Sequence, residues 1–253
     1  MKKIFLPASI VCLLTILIAV PTLKAKSSKN SEVTTSNEAP TAVSTNTTTS
    51  NVALLEAASN LLYDSLKLSS MGLSREVMQM AYKGHQYLSE RGTLENSAIL
   101  AVVDFSQSSK RKRLYIIDTR NYKVLVNTFV AHGKNSGLNY AERFSNTPES
   151  LQSSLGFYVT KKTYIGKHGL SLRLAGMERG FNDNAEARAI VIHGAEYIGS
   201  DRLASSYMGR SFGCPAVPQA QSKEVINILK EGTCLFVYHP TQQYLRGSKI
   251  LNS

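Results

Sequence analysis

Beyond Gly92 the chain is written in short apolar bursts separated by polar turns, and this rhythm restricts its fold more than any other feature. Residues 98–105 form an apolar run, 114–117 follow a basic polar turn at 107–113, and 124–130 follow the turn Arg120-Asn121-Tyr122. Runs this short, bounded by turn residues, predict strands. Two close connections in succession predict an antiparallel meander. Further strands are predicted at 156–164, 170–174, 189–192 and 234–238. One helical period breaks the series, at 219–230, with Val225, Ile226 and Leu229 on its buried side. Many strands with few helices exclude a βαβ arrangement and predict a mainly β sandwich or barrel with few short helices.

Ahead of the strands the period is helical. Leu54, Leu55, Ala58, Leu61, Leu62 and Leu66 recur at three- and four-residue spacing and make one apolar stripe. Met71-Gly72 interrupts it, Ser74 is placed to cap a second helix with Glu76 in its first turn, and Gly92 ends the pattern. These residues read as a helical N-terminal extension over 52–95, followed by a folded domain over 96–240 and a C-terminal tail over 241–253.

The N-terminus narrows the compartment. Lys2 and Lys3 precede an apolar run over 4–20, and small Ala25 stands where polar residues resume. That order describes a secretory signal peptide over 1–25, or an uncleaved anchor, since 4–23 is just long enough to span a bilayer. Cys12 belongs to the apolar run. Residues 26–51, rich in Ser, Thr and Asn, hold no apolar period and read as a flexible tether. The remainder is expected to be exported to the periplasm or cell envelope. With 29 Lys+Arg against 18 Asp+Glu the net charge is +11, which favours an anionic partner. Export excludes nucleic acid and leaves an acidic envelope polymer, with membrane contact only through an uncleaved N-terminus.

Chemistry concentrates between Ile190 and Pro218. The apolar stretch Ala189-Ile190-Val191-Ile192 runs straight into His193-Gly194, so the histidine is held by a buried strand end and still reaches a cleft. Downstream stands Arg210-Ser211-Phe212-Gly213-Cys214-Pro215-Ala216. A cysteine needs a general base or a positive neighbour to ionise near neutral pH, and histidine supplies either. Glycine beside it lets backbone N–H groups reach a substrate carbonyl as an oxyanion hole. Spacing alone leaves two readings of Cys214 open. One is the nucleophile; the other is a disulfide with Cys234, the other cysteine beyond the leader, in an oxidising compartment. Cys234 lies in a predicted core strand, where small buried cysteines are common. Nothing has paired zinc-ligand spacing, and no metal or cofactor is expected.

His193-Gly194 followed by Ser211-Phe212-Gly213-Cys214 resembles the signature of the L,D-transpeptidase (YkuD-type) catalytic domain family. The likeness is closest to the murein L,D-transpeptidase catalytic domain branch. The stretch from Gly176-Met177-Glu178-Arg179-Gly180 to Phe181-Asn182-Asp183-Asn184-Ala185, together with Arg188 and Gly213-Cys214-Pro215-Ala216, shares in it, over roughly 96–240. The resemblance implies a YkuD-like fold and favours the nucleophile. It implies that Cys214 attacks the third residue of a peptidoglycan stem tetrapeptide, releasing D-Ala and leaving a thioester. His193 would move the protons, the N–H groups around Gly213 and Cys214 would hold the oxyanion, and the Gly194 carbonyl would orient the histidine. Many family members carry a polar residue where Phe212 and Ala216 stand, so the acceptor stays open: a stem peptide, a lipoprotein amine, or water in a carboxypeptidase or a peptidoglycan–lipoprotein hydrolase. A non-catalytic wall-binding module with a Cys214–Cys234 disulfide is the remaining alternative.

Other residues carry weaker expectations. Ser211 supports the site or simply its turn. Arg210, Arg188 and Arg173 are candidates for holding stem-peptide carboxylates, because guanidinium matches carboxylate geometry. His132-Gly133 and His168-Gly169 imitate His193-Gly194 without a downstream Ser-x-Gly-Cys and read as loop or rim residues. His85 reads as a surface or packing residue, His239 as a chain turn, and Glu196 and Asp201 as exposed loop acids. Asn146-Thr147-Pro148 reads as a loop where the family builds part of its cleft.

Overall fold

A computed structural model describes residues 45–253. The predicted leader and most of the predicted tether lie outside the described residues. Helix α1 (Thr45–Ser65) begins inside the stretch expected to be tether, because Thr, Asn and Ser extend a helix already nucleated downstream at little cost. A short 3₁₀ turn ends at Gly72, whose φ of 91° reverses the chain. Helix α2 (Arg75–Glu90) is capped by Ser74, whose Oγ accepts from the Val77 N–H at 3.2 Å.

The strands are β1 (Ile99–Asp104), β2 (Leu114–Asp118), β3 (Lys123–Thr128), β4 (Gly156–Gly166), β5 (Gly169–Gly176), β6 (Val191–Ala195), β7 (Ala216–Pro218) and β8 (Cys234–Tyr238). Helix α3 (Gln219–Leu229) lies between β7 and β8, and α4 (Gln242–Gly247) follows β8. All eight strands form one sheet in the order β3-β2-β1-β8-β4-β5-β6-β7. The β1-β2-β3 meander is antiparallel, whereas β1–β8 and β6–β7 are parallel. Just past β3, Ala131 bridges Ala216 of β7, its N–H 2.8 Å from the Ala216 carbonyl. The two ends of the sheet therefore meet, and the fold is a mainly β near-barrel with few helices. The sheet closes on itself and does not split into the two layers of a sandwich.

One hydrophobic cluster joins Val77, Met78 and Ala81 of α2 to Leu100, Val102, Phe157 and Phe236 of the sheet and Val225, Ile226 and Leu229 of α3. Gly84 lies on the Phe157 ring so closely that a Cβ there would come within 2.0 Å of it. The helical segment is thus a wall of the core and not a separable extension. Nor is 241–253 a loose tail. Tyr244, Ser248 and Ile250 are buried, and Glu178 holds them. Its carboxylate accepts from the Phe157 N–H at 2.8 Å, from the Tyr244 hydroxyl at 2.9 Å and from Ser248 Oγ. Asn182 completes the network, accepting from the Glu178 N–H at 2.8 Å and donating to the Phe157 carbonyl at 2.9 Å. Burial pushes the Glu178 carboxyl above its usual range.

Two basic-turn and rim residues are interior. Arg113 is fully buried, donating to the carbonyls of Val130 and Gln107 and to His132 Nδ1 at 2.8 Å. His132 is buried with it, and burial beside that cation pushes its imidazole down to about 3. The chain turns there because β3 must cross to β7, which no local pattern announces.

Replacing Glu178 by Ala leaves three donors without an acceptor, and we expect a loss of about 3 kcal/mol in denaturant unfolding. Glu178→Gln, which keeps one acceptor, should lose less.

Candidate active site

Strand β6 alternates between two environments. Ile190 and Ile192 point into the main core, while Val191, His193 and Ala195 take the opposite face. On that face Ala195 and Ala216 pack with Phe129, Ala131, Ile198 and Met208 in a small second cluster. His193 stands directly opposite Ala216 in the parallel β6–β7 pair. Cys214 lies two residues before Ala216, in the turn that leads into β7. The His193 and Cys214 side chains line a cleft of about 370 Å³, with Tyr164, His168, Arg188, Tyr197 and Phe212 on its walls.

The turn carrying Cys214 is bonded throughout. The Ser211 N–H donates to the His132 carbonyl at 3.0 Å, and the Ser211 carbonyl accepts from the Lys134 N–H at 2.7 Å. Ser211 Oγ donates to the Cys214 carbonyl at 2.6 Å and accepts from the Gly213 N–H at 3.1 Å. That N–H is therefore taken within the turn, and what Gly213 contributes is backbone shape. Its φ is 122°, and a Cβ would lie 2.8 Å from the Gln152 carbonyl oxygen. Buried Ser153 ties the turn to its neighbour, donating to the Gly213 carbonyl at 3.3 Å and accepting from the Gly133 N–H at 3.0 Å.

His193 Nδ1 is 2.9 Å from the carbonyl of Gly194. A carbonyl only accepts, so Nδ1 carries the proton and Nε2 keeps its lone pair. Gly194 itself is required by packing, since a Cβ would come within 2.4 Å of Gln219 Oε1 and 2.7 Å of Ser222 Oγ on α3.

Burial pushes the His193 imidazole below its ordinary 6.5; the bond to Gly194 opposes this, and His168 and Lys167 add to it. Burial pushes the Cys214 thiol above its ordinary 9.0, against the opposing pull of a Val191 backbone contact, Arg188 and Lys167. The pair therefore rests at neutral pH as thiol and neutral imidazole. No Asp or Glu lines the cleft, and Lys167, Arg188 and Arg210 do.

The three candidate arginines are placed differently. Arg188 donates to the Ser145 and Gln152 carbonyls at 2.7 and 2.6 Å and to the hydroxyls of Ser154 and Ser150. Its guanidinium fastens the 145–154 loop behind Gly213, which corrects the expectation that it is free to hold a carboxylate. Arg210 donates to the Lys134 and Gly137 carbonyls and packs on Tyr207 at the cleft edge. Arg173 lies over the Tyr164 ring at 4.4 Å and does not line the cleft. Cys214 and Cys234 are both free thiols. Cys234 is in β8, and three strands separate β8 from β7 in either direction round the sheet, so the expected alternative of a disulfide fails.

Among the remaining residues, His168 is on the cleft wall with its ring stacked on His193, while Glu196 and Asp201 line another cavity beside Thr128 and Pro218. Asn146 and Thr147 line a cavity of about 560 Å³ on the far side of the 145–154 loop. Ser153, Tyr164, Lys167 and Tyr197 carried no sequence signal, because each reaches the site from a different element. Among the described residues no group of three His, Cys, Asp or Glu side chains is placed to hold a metal ion.

Matched against models of protein families, residues 69–238 fit the L,D-transpeptidase catalytic domain. That stretch is well over half of the chain, and the protein belongs to this family of L,D-transpeptidase catalytic domains. Comparison with curated protein sequences gave no match. Among solved structures it is similar to an L,D-transpeptidase from Mycobacterium smegmatis (12% identity, TM-score 0.34, covering 56% of this chain and 59% of the other). It is also similar to L,D-transpeptidase 1 of Mycobacterium tuberculosis (13%, TM-score 0.31, 56% and 62%) and to an L,D-transpeptidase from Xylanimonas cellulosilytica (14%, TM-score 0.33, 71% and 93%). The match thus spans about three-fifths of those mycobacterial chains. Likeness this remote adds nothing to the family assignment, which rests on the sequence match.

Ser153→Ala removes the two side-chain bonds that link Gly213 to Gly133 and leaves the backbone bond between Ser211 and Lys134. We expect a loss of about 1–2 kcal/mol in unfolding, together with altered iodoacetamide reactivity of Cys214. Unchanged alkylation would show that the turn keeps its shape without Ser153.

Proposed function

We propose that the protein is a cysteine acyltransferase acting on peptidoglycan stem tetrapeptides, with Cys214 as nucleophile and His193 as its base. The observation that carries this reading is that a free thiol and a neutral imidazole line one cleft, with cations and no acids on its walls. A cationic cleft favours a peptide rich in carboxylates.

In this reading His193 Nε2 takes the Cys214 proton as Sγ attacks the carbonyl of the third residue. With the Gly213 N–H taken by Ser211, the Cys214 N–H is the turn donor left to hold the forming oxyanion. Collapse breaks the peptide bond, His193 returns the proton to the departing D-Ala amine, and a thioester remains. An acceptor amine then attacks, His193 takes its proton, and the thiol is restored. Because charge forms only during reaction, water exclusion matters more here than a standing thiolate. Ala216 is buried and touches no substrate, whereas Phe212, 63% exposed, stands at the rim with Lys134 Nζ 4.6 Å from its ring centre. We place the acceptor, a stem peptide or a lipoprotein amine, on that side. The basic, then apolar N-terminus supports export to the envelope, where such substrates occur.

Incubation with a purified disaccharide-tetrapeptide, read by mass spectrometry, tests the proposal. A thioester on Cys214 should form and be absent in Cys214→Ala. Crosslinked dimers indicate transpeptidation, tripeptide alone indicates carboxypeptidation, and no turnover overturns the reading. The pH profile gives a second check. His193 must be neutral to accept a proton and its pKa is lowered, so kcat/KM should rise with an inflection below 6.5 and stay level towards 9.0. An acid limb at or above 6.5 would contradict the geometry.

A further inference from the structure

The hairpin joining β4 to β5 ends on a two-residue turn, Lys167-His168, between the paired Gly166 and Gly169. Gly169 has a φ of 73°, the left-handed conformation that lets so tight a turn close. Below the turn, Ser171 of β5 stands opposite His193 of β6, so the register anchors the hairpin beside that histidine. A shift in the β4–β5 register between Thr160 and Thr163 adds local twist to the hairpin. The tip then reaches over the cleft. The rings of His168 and His193 lie 4.2 Å apart between centres and 20° from parallel. His193 is buried and His168 exposed, so one imidazole covers a face of the other and turns its own outer face to solvent.

We propose that His168 is a positioning residue for His193: its ring covers the imidazole and fixes the plane of that ring in the cleft it shares with Cys214. An exposed histidine on a hairpin tip would otherwise sample several rotamers. The groups facing His193 are His168 and Lys167 from the hairpin, Tyr164 from β4, Cys214 and Arg210 from the 210–214 turn, Arg188 ahead of β6 and Tyr197 after it. None is a carboxylate, so nothing in the cleft offsets a positive imidazole. The cover withdraws water from one face of the His193 ring, and neighbouring Lys167 acts in the same direction, holding His193 neutral and ready to accept a proton.

The inference rests on the proposed role of His193, but its test does not need the substrate. Histidine-labelled protein, titrated by NMR with His193→Gln used to assign the resonance, reports the His193 midpoint directly. In His168→Ala that midpoint should move up towards 6.5, and the acid limb of Cys214 alkylation should move with it. His168→Phe keeps the cover and should stay nearer the wild type, because burial is the larger cause of the shift. With tetrapeptide, His168→Ala should lower kcat roughly three- to tenfold, the range an aromatic ring contact contributes, with KM little changed. An unmoved midpoint and alkylation profile in His168→Ala would overturn the proposal, as would a shift in His168→Phe as large as in His168→Ala. If the midpoint moves while wild-type protein turns over no tetrapeptide, the positioning role stands and the proposed substrate falls.

Discussion

Ala216 is paired from both sides, in parallel with β6 at His193 and antiparallel with Ala131 beyond β3. Without the second pairing, β7 would be a three-residue edge strand flanked by prolines, too short to hold anything in place. Closure of the sheet turns that edge into interior structure. Cys214 takes its position from this, two residues upstream in the turn that leads into β7. The turn around it is then tied downward through Ser211 to His132 and sideways through Ser153 to Gly133. His132 is held in turn by Arg113, a buried guanidinium whose partners are carbonyls and an imidazole. Desolvation pushes Arg113 down to about 9, so it keeps its charge at neutral pH and its donors stay in use. The bonds through Ser211, Ser153 and Arg113 hold the turn in place from beneath.

The same burial that supplies rigidity sets the electrostatics. A thiol and an imidazole withdrawn from water both favour their neutral forms, and the surrounding cations act differently on the two. Lys167 lowers both groups, opposing an imidazolium while favouring a thiolate. A resting ion pair is thereby disfavoured. The β4–β5 hairpin takes part in this electrostatic balance, since its tip carries both Lys167 and His168.

Strands were legible wherever apolar residues ran on or alternated between turn signals, and β1, β2, β5 and β8 fall where the pattern put them. Strand β7 was not, because Ala216–Pro218 is too short for any period and reads as a continuation of the cysteine turn. Segment 241–253 looked like a tail because Tyr244, Ser248 and Ile250 have no regular spacing; it is Glu178, far away in sequence, that makes them core. Arg188 looked like a ligand for carboxylates because a guanidinium in sequence carries no sign of where it points. Its four acceptors all come from one loop, which no local rule could anticipate.

By itself the sequence determined the mainly β class and the capped second helix, and it singled out His193 and Cys214, which the structure brings to one cleft. These follow from local physics: hydrophobic period, capping residues, and the need of a cysteine for a base. Only the tertiary structure decided that Cys214 and Cys234 are on opposite sides of a closed sheet, that the Gly213 N–H is occupied, and that His168 covers His193. Those facts depend on which strands become neighbours, and neighbours are chosen by the closure of the whole sheet and not by any stretch of it.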